Sequence, residues 1–206
     1  FSVLSHDRKF QLILLAKNET GYKNLLKLTS AGFLEGFYYR PRIDKEILAQ
    51  HKDGLICLSS CLKGEIPHLI YTNQLDQAKK VADEYKNIFG KDNFYLEVQD
   101  NGIPEQDTVN EGLIKMSKEL SLGLVATNDV HYMEKDHSRA HDILLCIQTQ
   151  TTIDDPNRMR LQTDEFYFKS SREMARTFGN TIPEALKNTI AIAEKCNLEL
   201  NFKSVH

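Results

Sequence analysis

Short apolar runs recur along the chain, separated by stretches in which apolar residues return every three or four positions. Residues 10–16 (FQLILLA) are continuously apolar after their first polar position, the pattern of a strand covered on both faces. Residues 55–59 (LICLS), 94–98 (FYLEV) and 124–127 (LVAT) read as further strands. Between the first two, Asn18 caps a predicted helix whose Tyr22, Leu25, Leu26, Thr29 and Phe33 share one face, ended by Gly32 and Gly36. An aromatic-basic loop, FYYRPRID, and a short helix over 44–50 complete that connection.

Residues 62–71 are predicted helical with an interruption near Pro67. Residues 74–89 form the clearest helix, with Leu75, Ala78, Ala82, Tyr85 and Phe89 as its buried stripe and Gly90 as its stop. Pro104 opens another, with Val109, Leu113, Met116 and Leu120 on one face and Gly123 closing it. Successive strand–helix units with apolar strands predict an α/β fold built on a parallel sheet or barrel.

The last third changes character. Residues 136–148 are predicted as an amphipathic helix (Ala140, Ile143, Leu144, Ile147), 153–163 as a polar loop and 165–169 (EFYFK) as a short extended segment. Ser170-x-x-Glu173 and Thr181-x-x-Glu184 both fit the capping box, the second with Pro183 near the first helical position. The final helix runs to about Cys196, and LELNF follows as an extended tail. No internal repeat or low-complexity segment is present. The expected organisation is one domain over 1–206, with β/α units to about 135 and a helix-rich closing segment from 136.

Composition narrows the classes only a little. The 206 residues hold 26 Lys and Arg against 29 Asp and Glu, a net charge of −3 with both signs mixed, which by itself demands neither nucleic acid nor membrane. No apolar run reaches membrane-span length and no signal-peptide pattern opens the chain, so a cytoplasmic location is expected. Cys57, Cys61, Cys146 and Cys196 lack C-x-x-C spacing and read as reduced thiols. The chain opens at Phe1 without a methionine and reads as an excerpt from something longer.

Candidate chemistry centres on LVATNDVHY. Asp129 and His131 follow the fourth strand at i, i+2, a spacing that in extended backbone projects both from one face and suits a divalent metal. The alternative is a strand-end turn in which Asp129 caps amides and His131 packs. In parallel α/β folds functional groups gather at the carboxyl ends of strands. Cys61 after the second strand, and Glu97 and Asp100 at the third, are the other groups there. Cys61 is equally readable as a thiolate ligand for zinc or as a small buried hydrophobe. Glu97 is expected to face solvent or pair with a helix lysine. His137 is read as solvent-facing, and His141 as a hydrogen-bonded structural group. His6, His51, His68 and His206 have no partner pattern. Arg40 and Arg42, beside Tyr38 and Tyr39, could reach phosphates of a nucleic acid, although a loop pinned by its aromatics with arginines paired to acids is the expected state.

Several segments together, in order, resemble one family: LILLAKNETGYKNLLKL, GFYYRPRIDKEIL, GLICLSSCLKGEIP, NEGLIKMSKEL, LVATNDVHY, AHDILLCIQT, TIDDPNRMR and IPEALKNTIAIAEKCN. This series is similar to the PHP (polymerase and histidinol phosphatase) domain, in the version found at the N-terminus of bacterial replicative DNA polymerase III alpha subunits. The resemblance covers residues 10–202 and implies a distorted β/α barrel, incomplete at its N-terminus, with metal ions (Zn, Mn or Mg) in its mouth. It implies Asp129 and His131 as the last ligand pair and Cys61 as a further ligand. Two departures stand out. Gln11 replaces a histidine that many members carry, and the family's opening H-x-H, T-D-H and following glutamate have no counterpart here. The resemblance implies a part of a nucleotidyltransferase that is inactive alone. It would serve as a structural and docking module for the polymerase core of the same chain and for a separate exonuclease subunit, with a residual metal-dependent 3′–5′ exonuclease site and DNA as partner. The other reading is a stand-alone phosphoesterase related to histidinol phosphatase.

Overall fold

The computed structural model describes residues 2–5 and 8–200. Four strands form the central sheet in the order β3 (Ile13–Ala16), β4 (Leu55–Leu58), β5 (Phe94–Gln99) and β6 (Gly123–Thr127). The last three run parallel, whereas β3 lies antiparallel on β4, with Ile13 opposite Leu58 and Ala16 opposite Leu55. The predicted run over 10–16 is therefore not one strand. It breaks at the buried Leu12, because the Gln11 amide leaves the sheet to bond the Lys63 carbonyl at 2.9 Å. Before the break, β1 (Ser2–Ser5) and β2 (Arg8–Gln11) form a separate antiparallel ribbon.

Both faces of the sheet are covered, which explains its apolar strands. On one face Leu55, Cys57, Phe94, Leu96, Val98, Leu124 and Ala126 join the main core. That core includes residues of α1 (Glu19–Leu34), α2 (Lys45–Gln50), α3 (Glu65–Tyr71), α4 (Leu75–Phe89) and α5 (Pro104–Leu120). On the other, Ile56, Leu58, Tyr95 and Val125 pack with Ile192 of α8 (Pro183–Lys195). Helix α8 also satisfies the edge: Asn188 Nδ2 donates to the Leu124 carbonyl at 2.7 Å, and Lys195 Nζ to the Tyr95 hydroxyl at 2.9 Å. Burial at about 25 cal/mol per Å² makes these two apolar layers the main source of stability.

Several predicted details are corrected by the packing. In α1 the buried face is Gly21, Asn24, Leu28 and Gly32; Leu26 and Phe33 are half-exposed and Thr29 is exposed. Glycine sets this rotation, since a Cβ at Gly21 would stand 2.0 Å from the Gly54 carbonyl oxygen, and only a bare backbone lets the helix lie that close. Gly32 is inside the helix and does not end it. Pro67 sits in the first turn of α3, where no amide partner is lost, so the helix is not interrupted. Residue Ser121, in left-handed conformation, closes α5, and Gly123 begins β6 against the Tyr95 ring. Leu75 is partly exposed, while Ala78, Val81, Ala82, Tyr85 and Phe89 are buried in α4.

In the last third a single 3-10 turn (Lys135–His137) leads into α6 (Ser138–Thr149). Its predicted stripe points outward: Ile143, Leu144 and Ile147 are exposed, and only Cys146 is buried. Ser170 and Glu173 form the expected reciprocal capping box on α7 (Ser171–Phe178). The second box does not form; Ile182 is the N-cap of α8, and Thr181 Oγ1 donates to the Phe178 carbonyl instead. The four cysteines are free thiols. Of the predicted extended tail, residues beyond 200 lie outside the described residues, as do His6 and His206.

Candidate metal mouth

The carboxyl ends of three parallel strands and the start of the antiparallel one meet at one end of the sheet. Strand β4 delivers Ser59, Ser60 and Cys61; β5 delivers Gln99; β6 delivers Asn128 and Asp129. The reversed direction of β3 brings Gln11 to the same end. A cavity of about 410 Å³ is lined there by Gln11, Ser60, Cys61, Gln99 and Asp129, with Phe33 and Arg40 also on its wall. A neighbouring cavity of about 320 Å³ shares Gln11, Cys61 and Asp129 and adds His131, Arg160 and Phe166. The three candidate ligands thus border one continuous mouth.

Asp129 and His131 do meet, but not through extended backbone. Asp129 has φ +45°, a left-handed conformation uncommon for residues other than glycine, and this turn brings its Oδ1 to 3.5 Å from His131 Nε2. The turn is braced from outside the sheet. His131 N donates to the Phe166 carbonyl at 2.8 Å, and Asn128 Nδ2 to the Tyr167 carbonyl at 2.6 Å. Asn101 Nδ2 donates to the carbonyls of Asn128 and Glu165. The extended segment 165–169 therefore supports the site. His131 is flanked edge-on by Phe166 and by His141, whose ring lies 5.5 Å away. Burial and the neighbouring His131 hold the His141 pKa below the usual imidazole value. His137 is exposed and its Nδ1 accepts from the Glu134 amide.

Cys61 Sγ sits 3.5 Å from Gln11 Oε1, a thiol-to-amide contact. Ser60 beside it is buried with φ +69°, so two strand-end residues in the mouth hold conformations that cost about 1 kcal/mol or more each. Asp100, by contrast, turns outward and accepts from the Gly102 amide.

Glu97 is the largest departure from the expected site. It is only 3% exposed, on the second covered face of β5, and has no lysine partner among the described residues. Its Oε1 accepts from Thr127 Oγ1 at 2.5 Å and from Gln99 Nε2 at 3.1 Å, while Oε2 is buried with no hydrogen-bond donor among the described residues. Burial raises its pKa; the bonds from Thr127 and Gln99 and the nearby Ser60 amide offset this in part, and the Asp129 charge adds to it. Alternation of apolar and polar residues in FYLEV hides this, because it looks the same whether the second face meets water or other protein groups.

The donor chemistry of Asp129 and His131 suits a divalent ion, and Cys61 shares their cavity. Among the described residues, however, no three His, Cys, Asp or Glu side chains close around one point, and Gln11 offers the thiol only an amide. The pair by itself is not a finished metal centre among the described residues. The expected acid partners of Arg40 and Arg42 are also missing among the described residues: Arg42 lies over the Tyr38 ring at 4.9 Å and donates to the Gly36 carbonyl.

Comparison with known proteins fits this geometry. Residues 1–101 match the PHP domain. The DNA polymerase III subunit alpha of Borreliella burgdorferi is 54% identical over 188 residues, 91% of this chain, and that of Treponema pallidum is 50% identical over 193 residues, 94% of this chain. The chain carries a PHP domain over residues 1–101. The Thermus aquaticus alpha subunit, 48% identical over 197 residues and 93% of the chain, extends the similarity to a third lineage. This PHP chain spans only 16% of the length of each of these relatives. PHP domains are typically metal-binding, and the fold seen here is the family's β/α arrangement with its barrel incomplete. No helix among the described residues is long and apolar enough to cross a membrane.

Ser60, Gln99, Asn128 and Arg160 were not anticipated in the site. Gln99 and Asn128 were findable, since each is the polar residue that ends a buried strand.

Proposed function

We propose that this chain is the PHP portion of a bacterial replicative DNA polymerase alpha subunit and acts there mainly as a structural and docking module. The similarity to alpha subunits, sustained at about half identity over more than nine-tenths of the chain, carries this reading. Its partners are then DNA, the polymerase core of the same protein and a separate exonuclease subunit, and its location the cytoplasm. A free-standing phosphoesterase fits less well, because the relatives are about six times longer than the matched region.

Within that role, Cys61, Asp129 and His131 form a residual 3′–5′ phosphodiesterase site. Asp129 and His131 supply one edge of a cation site, and further donors must come from elsewhere for a divalent ion to be held firmly. A bound ion of that kind lowers the pKa of water and neutralises phosphate charge. The chain's own contribution is positional: Asn128, Phe166 and Asn101 fix the turn that presents the pair. The test is digestion of an end-labelled single strand by the intact protein with added manganese. Slow trimming that disappears in Asp129→Ala/His131→Ala, with polymerisation retained, supports the reading. Trimming unchanged in that variant overturns the assignment of the site.

A further inference from the structure

Next to the mouth lies a second cleft of different character. Arg8, Lys9, Phe10 and Gln11 of β2, Arg40 of the aromatic loop, Leu62 and Lys63 of the turn after β4, and His68 of α3 surround about 710 Å³. Four cations and a histidine line it, and among the described residues no carboxylate does. None of Arg8, Lys9, Arg40 and Lys63 makes an ion pair among the described residues. In a chain with three more acids than bases this local imbalance is pronounced. Elsewhere in the chain, by contrast, cations such as Lys45, Lys79, Lys135 and Arg158 are matched to acids within 4 Å.

The cleft is also organised. Arg8 Nη1 is 2.8 Å from His68 Nε2, and since a guanidinium can only donate, the imidazole nitrogen is the acceptor. Phe10 rests against the His68 ring at 5.4 Å, which backs the arginine with a hydrophobic wall. Arg40 and Gln11 line both this cleft and the larger mouth cavity, and Lys63 lines both this cleft and the His131 cavity. Exposed Tyr38 and Tyr39 stand beside Arg40, their rings 4.6 Å apart.

We infer that this cleft binds the phosphate backbone of single-stranded nucleic acid, with Arg8, Lys9, Arg40 and Lys63 as phosphate contacts and the exposed tyrosines as a base-stacking platform. Spaced cations without acids suit a run of phosphodiesters, and adjacent aromatics suit unpaired bases. The inference goes beyond the proposed function, for it holds whether or not the mouth carries a metal. It also shifts the nucleic-acid contact from the Arg40/Arg42 loop alone to a surface built from four separate segments, and drops Arg42, whose guanidinium is already over Tyr38.

The test is photo-crosslinking of thiothymidine-bearing oligo(dT) to the intact protein in EDTA, with the crosslinked peptides mapped. Crosslinks are expected in residues 8–12, 38–42 and 62–68. Lys9→Ala/Lys63→Ala should lower them about tenfold at low salt and flatten their salt dependence by about 1.4 in log–log slope, two phosphate contacts at about 0.7 each. Crosslinks unchanged in that variant, or lowered equally by Lys118→Ala/Lys187→Ala, lysines of α5 and α8 that line neither the cleft nor the mouth, overturn the inference. So does their erasure by millimolar inorganic phosphate at matched ionic strength, which would make the cleft a site for a free phosphate. Arg40→Ala, outside the ribbon, gives the same reading should the double variant fold poorly. Asp129→Ala/His131→Ala is expected to leave the crosslinks intact, so failure of the metal reading and failure of this one are separable.

Discussion

Replacing Glu97 with glutamine isolates the electrostatic cost of the floor beneath the mouth. The side chain is buried, its Oε1 accepts two hydrogen bonds, its backbone amide donates a third to Ser59 Oγ, and Oε2 has no donor among the described residues. A buried polar atom without a partner costs about 1–3 kcal/mol, and an ionised one more. Because burial raises the carboxyl pKa, the folded state holds a proton that the unfolded state releases. Stability from this group is therefore complete below the ordinary carboxyl pKa and falls as pH rises through the raised folded value. Glutamine keeps the shape and the acceptor at Oε1 but never ionises. Glu97→Gln should match the parent near the ordinary glutamate value of about 4.3 and exceed it at pH 8 by about 2 kcal/mol. With a urea m-value of about 2 kcal/mol/M, that is a midpoint shift of about 1 M. Urea unfolding curves across this pH range decide it. A variant less stable than the parent at pH 8, or an offset that does not change with pH, refutes the reasoning.

Gly21→Ala should destabilise by about 1–3 kcal/mol in the same assay, because the new methyl meets the Gly54 carbonyl; a neutral effect would mean the helix can back away freely. Ser170→Ala removes one half of the α7 capping box and should cost about 1 kcal/mol in thermal or urea unfolding. Ser170 and Tyr167 together hold the Glu173 pKa down to about 2, so the box should persist as pH falls to that value, and helix loss at pH 4 would contradict it. Leu144→Asp on the outward face of α6 should change stability by no more than about 0.5 kcal/mol, whereas a larger loss would place that face against another part of the chain.

The strand ends were legible because buried apolar runs stop abruptly at polar residues, which is why Cys61, Asp129 and His131 could be placed at one end of a sheet. The direction of β3 was not legible: FQLILLA carries no sign of orientation, and what turns it is a backbone bond from Gln11 to the Lys63 turn. Rotation of α1 was misread for a related reason. Leu26 and Phe33 are as apolar as buried residues, but the glycine at 21 permits an approach to the Gly54 carbonyl that no side chain would, and so chooses the face. Hydrophobic period reports which residues could be buried, and contact distance decides which are. Glu97 shows the converse, a charge read as a solvent marker that the strand ends around Thr127, Gln99 and Ser59 enclose.

Whether the mouth is a cation site at all can be seen directly by soaking crystals of the intact protein in zinc and mapping anomalous scattering at the zinc edge. A peak at about 2.0–2.2 Å from His131 nitrogen and Asp129 oxygen, on the side facing Cys61, is the expected result. Saturating zinc that leaves the ordered Asp129–His131 pair bare would contradict it.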